Sequence, residues 1–340
     1  MPKREPSFID ALIVAVPESA GSALYGMLDM LSAAGMLWQS LVREDAHPRR
    51  FRARIVAPTR EPFKCANGVP VIPDAAFADA PEADLVILLD FWLGPDEVFK
   101  GRYPELMEWL RAMHRKGVAL YAACSGSVML AESGLLDGCP ATSHWGYQNL
   151  FRTQYPKVRF LPEPSLVFAD PEGCIVTAGG VTSWHDLAMH IISRHMSPGE
   201  AIRIAKVFLL KLHGEGQLPY ASLIRNEPHA DALVRKCQEW LKAHYAQHDA
   251  LARVTRLANV PERTLKRRFK TATGTTLIEY LQNLRVEEAK KLLETTELPA
   301  EEISAQVGYE DGSFFRRLFK RSTGLTPGQY RRMFQPVAAA

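Results

Sequence analysis

The chain has 340 residues, of which 47% are hydrophobic and 23% charged, and its formal net charge at pH 7 is +3. A chain of this length exceeds one typical hydrophobic core, so two domains are expected. The hydrophobic content argues against long disorder, and no run approaches the roughly 20 apolar residues that a membrane-spanning helix needs.

The first 210 residues alternate between strand-like and helix-like segments. Short apolar or alternating runs predict strands at 11–16, 51–58, 85–90, 118–124 and 174–180. Helical spacing of the apolar residues predicts helices at 22–37, 103–116 and 184–195. Strands that alternate with helices form a mostly parallel sheet with helices on both faces, so we expect an α/β domain.

The cysteines and the N-terminus favour a reduced, cytoplasmic location. The apolar run 11–16 follows Lys3 and Arg4, as in a signal peptide, but it is short and lacks a small-residue cleavage pattern. The cysteines are odd in number and show no metal-like spacing, so neither disulfides nor a metal is expected. They are Cys65, Cys124, Cys139, Cys174 and Cys237.

A cysteine stands where a predicted strand runs directly into a predicted helix. The strand 118–124 ends in Cys124-Ser125-Gly126-Ser127, and His144 follows 20 residues after the cysteine. A cysteine on a strand-to-helix turn has the geometry of a nucleophile elbow, where the helix N-terminus lowers the pKa of the thiol. His144 is the candidate base. The alternative, that both residues are structural, stays open on this pattern alone.

The composition and the charge change after residue 212. Residues 213–228 mix Gly, Pro and polar residues, and we expect a linker there. Residues 1–228 carry a net charge of −3 and residues 229–340 a net charge of +6, which favours a polyanion as partner of the second part. That part shows only helical patterns, at 231–245, 249–257, 261–272, 277–294, 299–306, 311–322 and 327–334.

A basic helical motif occurs twice in this second part. Residues 264–274 (TLKRRFKTATG) and residues 314–324 (FFRRLFKRSTG) correspond at an offset of 50 residues. Each copy follows a shorter predicted helix and a turn, at Asn259 in the first copy and at Gly308 in the second. Asn tolerates positive φ, and Pro261 suits the first turn of the helix that follows. In the second copy Asp311 or Ser313 is the candidate cap.

The spacing in each copy separates a buried face from a basic face. Leu265 and Phe269, like Phe315 and Phe319, are four residues apart and should anchor the helix to the core. A helix with buried anchors and an outward basic face is typical of the recognition helix of a helix-turn-helix; a bundle with basic faces is the alternative. The candidate DNA contacts are Arg263, Thr264, Lys266, Arg267, Lys270, Ser313, Phe314, Arg316, Arg317 and Lys320.

Residues 230–334 resemble the DNA-binding domain of AraC/XylS transcription regulators. The resemblance rests on both basic motifs, on LRVEEAKKLLETT (284–296) and on EEISAQVGY before the second motif. It implies two helix-turn-helix units joined by the long helix 277–294, which enter successive major-groove segments on one face of DNA. Asn259 and Pro261 depart from the Gly and Ser usual in that family, so the first unit is expected to be capped or packed differently.

Residues 8–212 resemble the ThiJ/PfpI, or glutamine-amidotransferase-like, superfamily, in the branch of GlxA-like regulators fused to AraC domains. The resemblance rests on AACSGSVMLAESGLLDGCPATSHW and VTAGGVTSWHDLAMHII. It implies a doubly wound, flavodoxin-like fold with Cys124 and His144 at the catalytic positions. The Glu that active members carry after the first strand is missing, because that place falls near Ala23, and Glu18 would need another register. The chemistry is therefore expected to be lost and a binding pocket kept.

The resemblance places a pocket around the elbow. Elbow amides favour a carboxylate, and aromatic faces with Asp90 favour an ammonium group, so an amino acid or a quaternary amine is the expected ligand. The alternative, that the tryptophans only pack the core, stays open. The residues expected there are Asp90, Phe91, Trp92, Cys124, Ser125, His144, Trp145, Thr182 and Trp184.

Together these features predict a transcriptional regulator with three parts. Residues 1–212 are expected to bind a small molecule and to dimerise, and residues 213–228 to form the linker between the two domains. Residues 229–335 are expected to bind double-stranded DNA at an operator with two related half-sites. RNA polymerase is a candidate partner, and neither a membrane nor a cofactor is expected. The alternatives are a cysteine-dependent amidase or glyoxalase with a DNA-binding tail, and a non-specific nucleic-acid-binding protein.

Overall fold

The computed structural model describes residues 7–224 and 229–335 and divides into two units. The units are Met1–Gln217 and Leu218–Ala340. Within the described residues, no helix has the length and apolar character to cross a membrane.

The first unit is built on a seven-stranded sheet of order β10-β11-β7-β6-β1-β2-β5. Its neighbouring strands are parallel, except for the antiparallel pair β10 and β11. The strands described, including those of two small two-stranded sheets, are β1 (Ser7–Val14), β2 (Arg49–Ala57), β3 (Phe63–Lys64), β4 (Pro70–Val71), β5 (Ala75–Ala76), β6 (Leu85–Leu88), β7 (Ala119–Ala123), β8 (Pro140–Ala141), β9 (Arg159–Phe160), β10 (Leu166–Phe168) and β11 (Ile175–Ala178).

Helices cover both faces of this sheet. Buried residues of α1, α6 and α7 pack on one face, and those of α3, α4 and α5 on the other. The predicted doubly wound α/β fold is therefore confirmed. The helices are α1 (Gly21–Ala33), α2 (Leu37–Val42), α3 (Pro104–Arg115), α4 (Gly126–Glu132), α5 (Gln148–Gln154), α6 (Trp184–His195) and α7 (Pro198–Val207).

The single helix predicted over 22–37 is wrong, because the segment forms two helices. α1 ends at Ala33 and α2 begins at Leu37. Between them Gly35 has φ +76°, and a Cβ added there would lie 2.9 Å from His47 Cβ. Positive φ and close approach both require glycine at this position. The chain therefore turns at Gly35, although the apolar spacing in the sequence runs on past it as if the helix continued.

The second unit is helical throughout its described residues. Its helices form two small cores that share α11: α8, α9, α10 and the start of α11 form one, and the rest of α11 with α12, α13 and α14 the other. The predicted all-α domain with a long central helix is confirmed. The helices are α8 (Ala232–His244), α9 (Ala250–Ala258), α10 (Glu262–Thr273), α11 (Leu277–Thr295), α12 (Ala300–Gln306), α13 (Gly312–Thr323) and α14 (Pro327–Phe334).

The segment expected to be a linker, 213–228, is packed over much of its described length. The division between the units falls inside it, after Gln217. His213 N donates to Asp186 Oδ1 at 2.9 Å in the first unit, and Lys290 Nζ donates to Ala221 O at 2.8 Å in the second. Residues 225–228 lie outside the described residues. The described part of this segment is thus anchored to both units.

Candidate binding cavity and candidate nucleic-acid interface

The turn after β7 is a sharp elbow. Cys124 has φ +53°, a left-handed conformation that costs free energy in a residue other than glycine. Gly126 begins α4 against the backbone of β6, and a Cβ on it would lie 2.2 Å from Leu88 O. Only glycine fits that contact. The sequence Cys-Ser-Gly thus forms the nucleophile elbow that the strand-to-helix pattern predicted.

The Cys124 thiol is not activated by this geometry. The residue is 4% exposed. Burial, reinforced by the charge of Asp90, raises the pKa of Cys124 to about 12. The expectation that the helix N-terminus lowers this pKa is wrong, because loss of hydration outweighs the amides of the short helix α4.

No acidic residue occupies the place, near Ala23, where active members carry a Glu after the first strand. Ala23, at the place expected for the Glu, is fully buried in the core. Glu18 instead accepts a hydrogen bond from Tyr103 Oη at 2.5 Å. The carboxyl group that acts on the thiol belongs to Asp90, which follows β6.

Asp90 is a buried carboxyl group without a hydrogen-bond partner at Oδ1 among the described residues. It is 6% exposed, and burial raises its pKa to about 6. A buried carboxylate without a cation is costly, so this group favours either a proton or a positively charged ligand.

Asp90 lies in a cavity of about 350 Å³ next to the elbow. Five of the predicted pocket residues line it: Asp90, Phe91, Trp92, Cys124 and His144. Seven others were missed by the sequence analysis, namely Ala20, Ser22, Leu93, Pro95, Gly146, Tyr147 and Val181.

Tyr147 is the most informative of the missed residues. Its hydroxyl donates to Leu93 O at 2.8 Å, and its ring meets that of His144 edge-on with centroids 6.0 Å apart. The hydroxyl thus ties the His144 turn to the segment after β6. In the sequence, Tyr147 could have been identified by its position three residues after His144, in a run rich in aromatic residues.

Four predicted pocket residues are not among those that line the cavity. Ser125 is fully buried, and its hydroxyl accepts from Phe91 N at 2.8 Å and donates to Phe91 O at 2.7 Å. Trp184 is a core residue that packs on Gly26, where an added Cβ would lie 2.5 Å from its ring. For Trp184 the alternative of simple core packing describes the structure better.

Trp145 and Thr182 lie beside the cavity rather than in its wall. The Trp145 ring packs against His144 with centroids 4.9 Å apart and the ring planes tilted by 33°, and burial lowers the pKa of that histidine. Thr182 Oγ1 lies 3.5 Å from His213 Nε2. Both residues therefore support the turns that carry lining residues, but the lining itself is more aliphatic than the predicted set.

We expect the Cys124 thiol to resist alkylation. Because its pKa is raised to about 12, iodoacetamide should label it slowly up to pH 9, at least about tenfold more slowly than the partly exposed Cys139. Peptide mass spectrometry against pH measures both sites in one sample. Half-maximal labelling of Cys124 below pH 7 would show a catalytic thiolate instead.

The two basic motifs form α10 and α13 on matching scaffolds. In each, a Thr near the helix end donates to the carbonyl four residues earlier at 2.8 Å, and a Gly with φ near +75° ends the helix. A capping box begins the next helix, at Thr276 and at Thr326. The repeat in the sequence is therefore a repeat of local structure.

The predicted anchors are buried. Leu265, Phe269, Phe315 and Phe319 each have an exposed fraction of 0%. The ten candidate DNA contacts are exposed, except Thr264, which is half-buried. α10 and α13 thus have the buried and outward faces expected of recognition helices.

The turns before these helices follow the prediction with two refinements. Asn259 has φ +49°, and Gly308 has φ +88° with no room for a Cβ, which would lie 2.5 Å from Ala246 O. Pro261 stands immediately before the first residue of α10 rather than in its first turn. Asp311, not Ser313, caps α13 through its Oδ1.

The cations of the outward faces differ in their neighbours. Lys266 pairs with Glu262 at 2.6 Å, and Arg316 pairs with Glu301. Arg267 and Arg317, which correspond in the two motifs, form no ion pair with the residues described. These two guanidinium groups are therefore available to bind a polyanion or a base edge.

Comparison with known proteins agrees with this two-part architecture. Residues 33–194 match the model of the DJ-1/PfpI family, and residues 254–333 match a helix-turn-helix domain. The chain is similar to the HTH-type transcriptional regulator CdhR of Pseudomonas aeruginosa, with 27% identity over 86% of this chain and 85% of that protein. It is also similar to the HTH-type transcriptional regulator GlxA of Rhizobium meliloti, with 28% identity over 66% of this chain and 68% of that protein.

A solved structure resembles the first unit. The crystal structure of a Vibrio parahaemolyticus protein, described as a candidate transcriptional regulator, superposes with a TM-score of 0.50 and 19% identity. The match covers 60% of this chain and 100% of that chain. At this identity the likeness bears on the fold alone.

Proposed function

We propose that this chain, which belongs to the transcriptional regulators that join a DJ-1/PfpI-family domain to an AraC-type helix-turn-helix domain, binds specific DNA sequences under the control of a small molecule. The observation that carries the proposal is the pair of recognition helices, α10 and α13, on repeated scaffolds, with arginines at matching positions that pair with no acidic residue in the described part of the chain.

The DNA site follows from the two helices. Recognition helices of one protein that lie on one face of DNA contact major-groove segments one turn apart, roughly 34 Å. We further propose a homodimer, in which case the operator contains two related half-sites. Footprinting on a fragment selected from genomic DNA should then show protected segments at this spacing in each half-site. We propose that the protein acts in the cytoplasm and that RNA polymerase is a candidate partner.

The chemistry of the cavity favours a ligand with a positively charged nitrogen. Asp90 supplies a buried carboxyl group, and the rings of Trp92 and Tyr147 supply faces that attract a cation. An anionic group on the ligand has weaker support than expected. One of the elbow amides, Cys124 N, already donates to Ala178 O and Gly179 O and so does not face a ligand carboxylate. Amino acids and quaternary amines remain the proposed class.

We expect Asp90→Asn to weaken binding of such ligands. Glycine and its N-trimethyl derivative are suitable calorimetric probes, and loss of the charge should cost ~1.5–3 kcal/mol at pH 7. In the unsubstituted protein the affinity should fall about tenfold from pH 7 to pH 5, since the carboxyl group, with a pKa of about 6, is protonated over that range.

The stability of Asp90→Asn provides the control. A carboxyl group whose pKa is raised in the folded state stabilises the fold below its unfolded pKa and loses that contribution as the pH rises through about 6. A neutral amide should therefore be at least as stable at pH 7. Unchanged affinity for both probes in a folded variant would refute the assigned role of Asp90.

We propose binding rather than catalysis for the first unit. The thiol has a raised pKa, and the acid near it, Asp90, further disfavours the thiolate. A thiol in this state is a poor nucleophile. These observations disfavour the amidase or glyoxalase alternative.

A further inference from the structure

The side chain of Gln217, the last residue of the first unit, is buried and fully hydrogen-bonded. It is 4% exposed. Its Oε1 accepts from Gly180 N at 2.8 Å and from Trp145 N at 3.2 Å. Its Nε2 donates to Ser143 O at 2.9 Å and lies 3.2 Å from both Thr142 Oγ1 and Pro164 O. The donor and acceptor capacity of the carboxamide is used completely.

Apart from Pro164 O, the groups that hold this carboxamide belong to two turns that line the cavity. The turn 142–147 contributes His144, Gly146 and Tyr147 to the lining, and the turn 179–181 contributes Val181. An amide of each turn donates to the same oxygen of Gln217. The carboxamide therefore fixes the two turns relative to each other.

The backbone leaves room for this side chain. A Cβ on Gly179 would lie 2.4 Å from Gln217 Cδ, and one on Gly180 would lie 3.1 Å from His144 Cδ2 and 3.5 Å from Gln217 Oε1. His144 thus lies next to the carboxamide and also lines the cavity. A ligand that moves His144 must disturb the groups that hold Gln217, because packed interiors do not absorb such shifts.

The chain continues from this anchored residue directly into the second unit. Gln217 N donates to Glu163 O at 2.7 Å, and after the three residues 218–220, Ala221 O accepts from Lys290 Nζ on α11. Leu223 N donates to Glu287 Oε1 at 2.9 Å, also on α11. The long helix that joins the two recognition helices is thus tied to the segment that Gln217 anchors.

We propose that Gln217 couples the cavity to the DNA-binding unit, as a positioning residue that acts through the turns 142–147 and 179–181. The inference rests on the proposed function. Coupling free energies are reciprocal: if a cavity ligand changes DNA affinity, DNA changes the affinity for that ligand by the same factor. Because Gln217 would carry this coupling through the cavity turns, we expect DNA to change the local opening of these turns, which can be measured without a small molecule.

The test is amide hydrogen exchange of the full-length chain with and without a DNA fragment that it selects from genomic DNA. DNA should change the exchange rates of peptides covering 142–147 and 179–181 by at least about fivefold, the lower end of typical coupling. The change should disappear in Gln217→Ala, and also in Gln217→Met, which keeps the side-chain volume without the hydrogen bonds.

Gln39→Ala is the matched control. Gln39 is as buried as Gln217, at 3% exposed, and its carboxamide bonds to Glu200, away from the cavity turns. This variant should keep the DNA-induced change even if it loses stability. The proposal is overturned if DNA binds without changing the turns, or if both Gln217 variants keep the change. If the chain selects no DNA fragment, the proposed function fails and the coupling fails with it.

Discussion

Replacing Arg267 or Arg317 by alanine should weaken binding to a selected DNA fragment by ~1–3 kcal/mol each, about 5- to 150-fold in Kd. Both residues lie exposed on a recognition helix whose opposite face is anchored by fully buried side chains. Neither pairs with an acidic residue among those described, so each guanidinium can engage a guanine edge without first breaking an ion pair.

The matched control for this prediction is Arg115→Ala in the first unit. Arg115 is an exposed arginine near the end of α3, and its loss changes the net charge by the same amount. Binding should change by less than about twofold, since a single surface charge outside the recognition helices acts mainly through the net charge, which is screened at physiological salt. Fluorescence anisotropy at fixed salt measures all three variants. Equal losses for Arg115, Arg267 and Arg317 would mean that only total charge matters.

Replacing Phe319 by alanine should lower the free energy of unfolding of the second unit by ~3–5 kcal/mol. The ring is fully buried, 5.8 Å from Phe315 and 5.4 Å from Tyr330 between centroids. The core around it is small, because the second unit is divided into two clusters. The cavity left by removing the ring would therefore cost a large part of the free energy of unfolding of a typical domain.

Phe314→Ala tests whether burial is the cause. Phe314 lies on the same helix but is 38% exposed, with its ring 5.6 Å from that of Tyr309. Its removal should change the free energy of unfolding by no more than about 0.5–1 kcal/mol. Urea denaturation, monitored by hydrogen exchange of peptides within 286–330, measures unfolding of the second unit separately from unfolding of the first. Equal destabilisation by the two substitutions would contradict the assigned faces.

The sequence predicted the features that depend on local patterns. Strand and helix periodicity gave the α/β fold, and the spacing of Phe315 and Phe319 gave the buried face of a recognition helix. The break at Gly35 was missed because the apolar spacing continues past it. Strand β10 was missed because three residues are too few to show a pattern.

The site was predicted less completely, because side chains from distant segments form it. The motif located Cys124 and His144, but not which neighbouring side chains face the cavity, so Trp184 was misplaced. Gln217 lies in a segment with the composition of a linker, and its partners are 37 to 75 residues away. No local pattern distinguishes such a residue from an exposed one.

The most direct test of the account is the affinity of the full-length chain for a DNA fragment it selects from genomic DNA, compared with a shuffled fragment of the same length and composition. At a fixed physiological salt concentration, we predict that the selected fragment binds at least about 10³-fold more tightly. Both affinities should fall as salt is raised, because phosphate contacts contribute to each. Equal affinity for the two fragments would contradict sequence-specific regulation and leave a non-specific nucleic-acid-binding protein.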